Sequence, residues 1–103
     1  MQTVQDKFPI GMKLGETVHT DFEVREALVQ DMVDAERVVP PTDLHAFNVE
    51  MLCRVVTRVG TFTGPFTPAM FMRLKRPDYH ALVQAMMKAD ELGKPVPSAG
   101  API

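Results

Sequence analysis

Residues 22–36 constrain the fold more than any other part of the chain. Up to Arg25 apolar and polar residues alternate, which is typical of a half-buried strand, and after Arg25 the apolar residues recur at helical spacing. No glycine or proline separates the two patterns, and the sequence beyond them favours only helices. The sequence therefore predicts an α+β fold in which an N-terminal β-hairpin is followed by three to four α-helices and a flexible C-terminal tail.

The predicted hairpin turns at Gly15, because glycine adopts a positive φ at little cost. Its first strand is predicted over residues 8–14 and its second over residues 17–25, whereas residues 1–7 are polar and are expected to fray. We expect one face of the second strand to be buried by Val18, Thr20, Phe22 and Val24. A lone hairpin is marginal in water, so this face must pack against the helices.

A first helix is predicted over residues 29–37, and the prolines at positions 40 and 41 end it. Its expected apolar side consists of Leu28, Met32, Val33 and Ala35. Its charged residues are expected to face water, and they are Asp31, Asp34 and Glu36. A second helix is predicted over residues 44–59, because apolar residues recur there at three- and four-residue spacing and Gly60 then provides a stop.

A short third helix is predicted after Thr67, and Pro77 separates it from a fourth helix over residues 78–92. The buried side of the fourth helix is expected to carry Tyr79, Leu82, Val83, Met86 and Met87. Residues 1–93 are predicted to form a single α+β domain, because a chain of 103 residues is expected to contain one domain. Residues 94–103 are predicted to be a flexible tail rich in proline, alanine and glycine.

The sequence contains no convincing catalytic or metal-binding set. His19, His45 and His80 lie on different predicted elements and lack the paired spacing of a zinc site. Cys53, the single cysteine, lies among apolar residues without the base that a nucleophilic thiol needs. We therefore expect a protein that is not an enzyme and that uses no cofactor and no metal.

Charge and hydropathy exclude further classes of protein. The net charge of -2 argues against nucleic-acid binding driven by phosphate neutralisation. The N-terminus lacks the apolar core of a secretion signal, and the longest apolar runs fall far short of the roughly 20 residues that span a bilayer. We expect a cytoplasmic protein that binds neither nucleic acid nor membranes.

The signals that remain concern protein–protein interaction. Eight methionines favour a methionine-rich core, and the alternative interpretation is an adaptable surface that binds helices. The hypothesised partner-binding residues, some of which must be core residues, are Met51, Phe62, Phe66, Met70, Phe71, Met86 and Met87. A basic cluster at Arg73, Lys75 and Arg76, to which Arg54 and Arg58 can add, offers a contact for an acidic partner. A free hairpin edge or the helical face also allows self-association.

Residues 8–92 resemble the small tail assembly chaperones of Mu-like, contractile-tailed bacteriophages and prophages. The resemblance rests on the order of the elements and on five local patterns: the Gly15-Glu16 turn, the strand end at residues 22–25, the acidic helix start at residues 31–36, the helix end at residues 54–60, and the entry to the last helix at residues 74–82. The proline pair at 40–41 and the phenylalanine-rich loop at 62–66 have no counterpart in the family pattern.

The resemblance implies a non-catalytic chaperone in the cytoplasm of a bacterial host. Such proteins bind the tape measure protein before the tail tube polymerises around it, and a longer form recruits tail tube subunits. Two other functions stay open. One is a structural head or tail completion protein that is retained in the virion. The other is a small DNA-binding regulator that uses the basic helix end at residues 73–76.

Overall fold

The computed structural model describes residues 1–92. Two antiparallel strands come first and four helices follow, which confirms the predicted α+β class. In chain order the elements are β1 (Thr3–Leu14), β2 (Thr17–Arg25), α1 (Val29–Glu36), α2 (Leu44–Val55), β3 (Val56–Val59), α3 (Pro68–Met72) and α4 (Arg76–Leu92). The predicted tail at residues 94–103 lies outside the described residues. None of the helices in residues 1–92 is long and apolar enough to span a membrane.

The hairpin is longer than the sequence predicts. β1 begins at Thr3, which pairs with Arg25, so the expectation that residues 1–7 fray is wrong. Val4 anchors this segment, because its side chain is buried in the core. On the opposite face of the sheet, Gln5 donates a hydrogen bond of 2.8 Å to the Glu23 carboxylate. Pairing across the sheet stabilises a segment whose own composition is polar.

A third strand follows directly on α2, where the sequence predicts that the helix continues to residue 59; this part of the prediction is wrong. α2 ends at Val55, and Val56 has the extended conformation, with φ -71° and ψ 120°. β3 pairs antiparallel with β2, so that the sheet order is β1-β2-β3, and Phe22 lies opposite Val59. The valine spacing suits a helix, but β-branched residues favour strands, and pairing with β2 buries Val56 and Val59.

The core lies between the inner face of the sheet and the helices. Phe22, Val24, Leu52 and Leu82 have no exposed surface, and Ala89 is equally buried near the end of α4. The hairpin face therefore packs against helices as predicted, except near the turn. There Val18, which the alternation assigns to the buried face, is 56% exposed, and Thr20 of the same predicted face is also exposed.

Helix α1 buries only Ala35 of the four residues on its predicted apolar side, and it buries Asp31, which was expected to face water. Asp31 and Ala35 are buried, whereas Met32 and Val33 are exposed to solvent. The cause is Arg25 at the end of β2, whose two terminal guanidinium nitrogens each donate a hydrogen bond of 2.9 Å to the Asp31 carboxylate. The same hydrogen bonds lower the pKa of Asp31, so the carboxylate stays ionised against the body of the protein.

Candidate partner-binding site

A groove lies between the tip of the hairpin and the chain around α3. Two adjoining cavities, of about 620 Å³ and about 410 Å³, form it, and both are lined by Lys13, Gly15, Met70 and Arg73. We call this surface the basic groove and define it by Ile10, Lys13, Val18, Met70, Arg73 and Lys75. Phe62 lines its smaller end.

β1 departs from regular pairing where Ile10 and Gly11 line the groove. The pairing of β1 with β2 shifts register between Lys7 and Met12, so the chain around Gly11 departs from a regular ladder. Gly11 has φ 132°, and a Cβ there would lie 2.6 Å from the Val18 side chain. A glycine is therefore needed for β1 to pass so close to β2 at this point.

Asp78 holds this irregular segment against α4. Its carboxylate accepts hydrogen bonds from the backbone N–H groups of Ile10, at 2.8 Å, and Gly11, at 3.2 Å. The Asp78 side chain is completely buried. Sequence analysis identified Asp78 only as the start of the last helix, because the partners of this carboxylate lie 67 and 68 residues away. The helix itself starts earlier, at Arg76, and includes Pro77 in its first turn.

The rim of the groove is positively charged. Lys13 comes from the hairpin, and Arg73 and Lys75 come from the segment between α3 and α4. None of the described residues that line its two cavities is acidic. The predicted basic cluster thus faces an apolar floor, on which Met70 supplies a flexible and polarizable side chain.

Two arginines that the sequence allows in this cluster lie elsewhere. Arg54 forms a salt bridge of 3.0 Å with Glu50, one turn earlier on α2. Arg58 lies on β3 and forms a salt bridge of 2.7 Å with Asp21 on β2. Arg76 lines a different cavity, so only Arg73 and Lys75 of the sequence-predicted cations reach the groove.

The structure divides the hypothesised partner-binding residues into three groups. Met51, Phe71 and Met86 are core residues with at most 8% of their surface exposed. Met70 and Phe62 are half-buried and line the basic groove. The remaining two lie outside it. Met87 is exposed on α4, and Phe66 packs against the core.

The phenylalanine-rich loop connects the groove to the core. The Phe62 and Phe66 rings meet edge to face, with centroids 5.2 Å apart. Phe66 in turn stacks on the buried ring of Phe71 at 5.6 Å. Such ring contacts add to the free energy gained by burial. The loop is therefore a packed support for one end of the groove, and Phe62 and Phe66 are both half-buried.

A separate cavity, of about 360 Å³, lies between α2, α3 and α4. At its edge the Tyr79 hydroxyl lies 2.8 Å from His45 Nδ1 and accepts a hydrogen bond of 3.2 Å from the Asn48 side chain. His80 and Arg76 complete its polar lining. The Tyr79 hydroxyl is thus held by two neighbours that tie α4 to α2.

Residues 1–92 contain no group of three or more histidine, cysteine or acidic side chains that could hold a metal ion. Burial, followed by the charge of Glu50, raises the pKa of the Cys53 thiol to about 11. A thiol with this pKa is almost fully protonated at neutral pH and is a poor nucleophile.

The comparison with known protein families identifies the class of protein. A family model described as "Tail assembly protein gp41", of phage Mu, matches residues 8–99. The chain belongs to this family of phage tail assembly proteins. The matched residues of this tail assembly protein include the whole basic groove. No curated protein matches the chain, and no solved structure matches it.

Proposed function

We propose that this tail assembly protein is a chaperone that binds the tape measure protein in the host cytoplasm, before the tail tube forms around it. The observation that carries the proposal is the basic groove, in which an apolar floor with Ile10, Val18 and Met70 lies inside a rim of positive charge. Ile10 and Val18 are 48% and 56% exposed in the free chain, so the floor is accessible to a partner.

The shape and chemistry of the groove suit an amphipathic helix. Helix-in-groove recognition places an apolar stripe of a helix, at positions i, i+3, i+4 and i+7, into an apolar channel. The methionine on the floor adapts to stripes of different sequence, which a chaperone of a long helical protein requires. Lys13, Arg73 and Lys75 select helices whose flanks carry aspartate or glutamate.

Such binding protects a partner that is prone to aggregate. A long helical protein with exposed apolar stripes associates with itself unless those stripes are covered. The Arg73 side chain is exposed on the rim, so it can pair with a partner without rearrangement of the fold. We therefore expect the chaperone to keep the tape measure protein soluble until tube subunits replace it.

Co-expression with the tape measure protein of the same phage or prophage tests the proposal. The measured quantities are the soluble fraction of the tape measure protein and the amount that co-purifies with the tagged chaperone. The groove variants are Arg73→Glu and Val18→Asp, and both positions are exposed. The matched controls are Lys7→Glu and Leu44→Asp, which introduce the same charges at exposed positions outside the groove.

We expect the wild type and both controls to keep the tape measure protein soluble and to co-purify with it, whereas both groove variants lose it. Equal capture by all five proteins would exclude the basic groove as the binding site. If the wild type captures no tape measure protein, and mass spectrometry finds the chain in purified phage particles, the function is that of a retained completion protein.

A further inference from the structure

Helix α1 carries an apolar stripe that no part of residues 1–92 covers. Val29, Met32 and Val33 recur at i, i+3 and i+4 and are 75%, 45% and 39% exposed. Leu28 and Val38 extend the exposed apolar surface beyond both ends of the helix. We call Val29, Met32 and Val33 the α1 stripe. Contiguous apolar surface of this kind on a soluble chain commonly marks an interface.

The stripe is held rigidly from behind. Arg25 binds Asp31 with two hydrogen bonds and also donates one of 2.9 Å to the backbone carbonyl of Arg54 on α2. The Asp31 carboxylate accepts a further hydrogen bond of 2.8 Å from the Leu28 N–H at the start of α1. These contacts fix the helix to the sheet and to α2, so Met32 and Val33 cannot turn inward without breaking a partly buried ion pair.

The surface around the stripe is acidic. Asp34 and Glu36 lie on α1, and Glu26 precedes it. Asp90 of α4 lies beside the start of α1, where its carboxylate accepts a hydrogen bond of 3.2 Å from the Ala27 N–H. These four carboxylates outnumber the exposed guanidinium of Arg37, which lies 3.5 Å from Asp34. The α1 stripe is thus a convex apolar surface with acidic flanks.

The stripe and the basic groove complement each other in shape and in charge. The groove is concave and apolar and carries Lys13, Arg73 and Lys75, whereas the helix is convex and apolar and carries mainly acidic side chains. They lie at opposite ends of the molecule, so one copy cannot bring its own stripe to its own groove. β2 runs from Val18 at the groove to Arg25 at α1, and an extended strand spans about 23 Å between these two residues.

We propose that copies of this chain associate head to tail, with α1 of one copy in the basic groove of the next. The contact joins two different surfaces, so each copy keeps a free groove at one end and a free stripe at the other. The same contact can add further copies, which form either a closed ring or an open array. One short helix buries less than the roughly 800 Å² per partner of a standard interface, so the association is reversible.

Self-association also regulates capture of the tape measure protein, a consequence that rests on the proposed function. A groove that holds α1 of a second copy is closed to the tape measure protein, so the two ligands compete. The array then stores the chaperone with its groove covered. A tape measure helix with a longer apolar stripe than α1 displaces the second copy and releases monomers, which bind along it.

Sedimentation velocity of the purified full-length chain tests the proposal, over a concentration series and at low and high salt. The variants are Arg73→Glu in the groove and Met32→Glu in the stripe, both at exposed positions. Lys7→Glu is the charge-matched control. We expect the wild type and the control to increase in mass with concentration, less so at high salt, and both variants to remain monomers, with unchanged circular dichroism.

Mixing the two variants distinguishes head-to-tail association from a symmetric dimer. The Met32→Glu chain keeps a working groove and the Arg73→Glu chain keeps a working stripe, so an equimolar mixture should form a one-to-one dimer that grows no further. A wild type that stays monomeric overturns the proposal. It is also overturned if Arg73→Glu associates normally while Met32→Glu does not, because α1 would then pair with α1 or with another segment. Tape measure binding is scored separately on the Met32→Glu chain, whose groove is intact.

Discussion

Helices α1 and α4 are both amphipathic in sequence, but they follow their patterns to different degrees. Helix α4 buries Leu82 and Met86 of its predicted side and leaves only Met87 exposed, whereas α1 buries only Ala35 of its own predicted side. The 17-residue α4 places Leu82 and Met86 in the core, and the sum of such apolar contacts determines its orientation. The 8-residue α1 has fewer apolar residues, and one ion pair with Arg25 turns its apolar side outward. In a short helix a single buried polar anchor outweighs the apolar pattern, and the apolar side then becomes available to a partner.

The largest effect is expected from removing the polar anchor of α4. Asp78→Ala leaves the N–H groups of Ile10 and Gly11 without their acceptor in a buried setting, which should lower the free energy of unfolding by about 4 kcal/mol. Urea denaturation measures the change. Asp43→Ala, at an exposed carboxylate before α2, is the control and should have little effect. Equal stability of both variants would show that Asp78 does not hold the hairpin to α4.

A direct comparison of the two apolar sides comes next. Leu82→Ala removes a fully buried side chain of α4 and should lower the free energy of unfolding by about 3 kcal/mol. Val33→Ala removes methyl groups from the exposed side of α1 and should change it by less than about 0.5 kcal/mol. Both are measured at a concentration at which the chain is monomeric. A large loss from Val33→Ala would place the α1 stripe in the core of the monomer.

A smaller and pH-dependent effect is expected at the polar anchor of α1. Arg25 lowers the pKa of Asp31 in the folded state, so the ion pair stabilises the protein fully above the unfolded pKa of about 4. This stabilisation is lost as the pH falls through the lower, folded pKa. Asp31→Asn should lower the free energy of unfolding by about 2 kcal/mol at pH 7.

The difference between wild type and Asp31→Asn should therefore shrink as the pH is lowered below about 4. Asp21 and Glu23 also have lowered pKa values, from their hydrogen bonds to Arg58 and to Thr57 respectively, but both proteins share these groups. Thermal unfolding from pH 7 to pH 2.5 measures the difference. A constant difference across this range would mean that the Asp31 charge does not stabilise α1.

The last prediction concerns only the reactivity of the Cys53 thiol. With its pKa raised to about 11, Cys53 is about one part in a thousand thiolate at pH 8, so reaction with an aromatic disulfide reagent should be slow. The same thiol in urea should react much faster, because unfolding restores an ordinary pKa. Equal rates in the folded and unfolded chain would show that burial does not protect this thiol.

The sequence predicted those parts of the fold that depend on many local residues. The hairpin turn, α4 and the order of the elements follow from glycine placement and from periodic apolar residues. The errors arise where a few contacts between residues far apart in the sequence determine the local structure. β3 forms because the free edge of β2 pairs with valines whose spacing also fits a helix. Helix α1 exposes Met32 and Val33 because Arg25 donates hydrogen bonds to Asp31 on the other side of the helix.

The candidate site was predictable only in part for the same reason. Arg73 and Lys75 form a visible basic run, and Met70 belongs to the methionine-rich set. Ile10, Lys13 and Val18 carry no local signal, because they reach the groove through the irregular strand around Gly11 and its anchor at Asp78. The split of the methionines and phenylalanines between core and groove depends on packing, which periodicity alone does not determine.

Site-specific photo-crosslinking during co-expression with the tape measure protein tests the central claim most directly. A benzophenone side chain would replace Val18 in the basic groove in one protein. In another it would replace Lys7, an exposed residue of β1 that lies outside the groove. Our account predicts a covalent adduct with the tape measure protein from position 18 and none from position 7. An adduct from position 7 with none from position 18 would contradict the account, because the partner would then lie outside the groove.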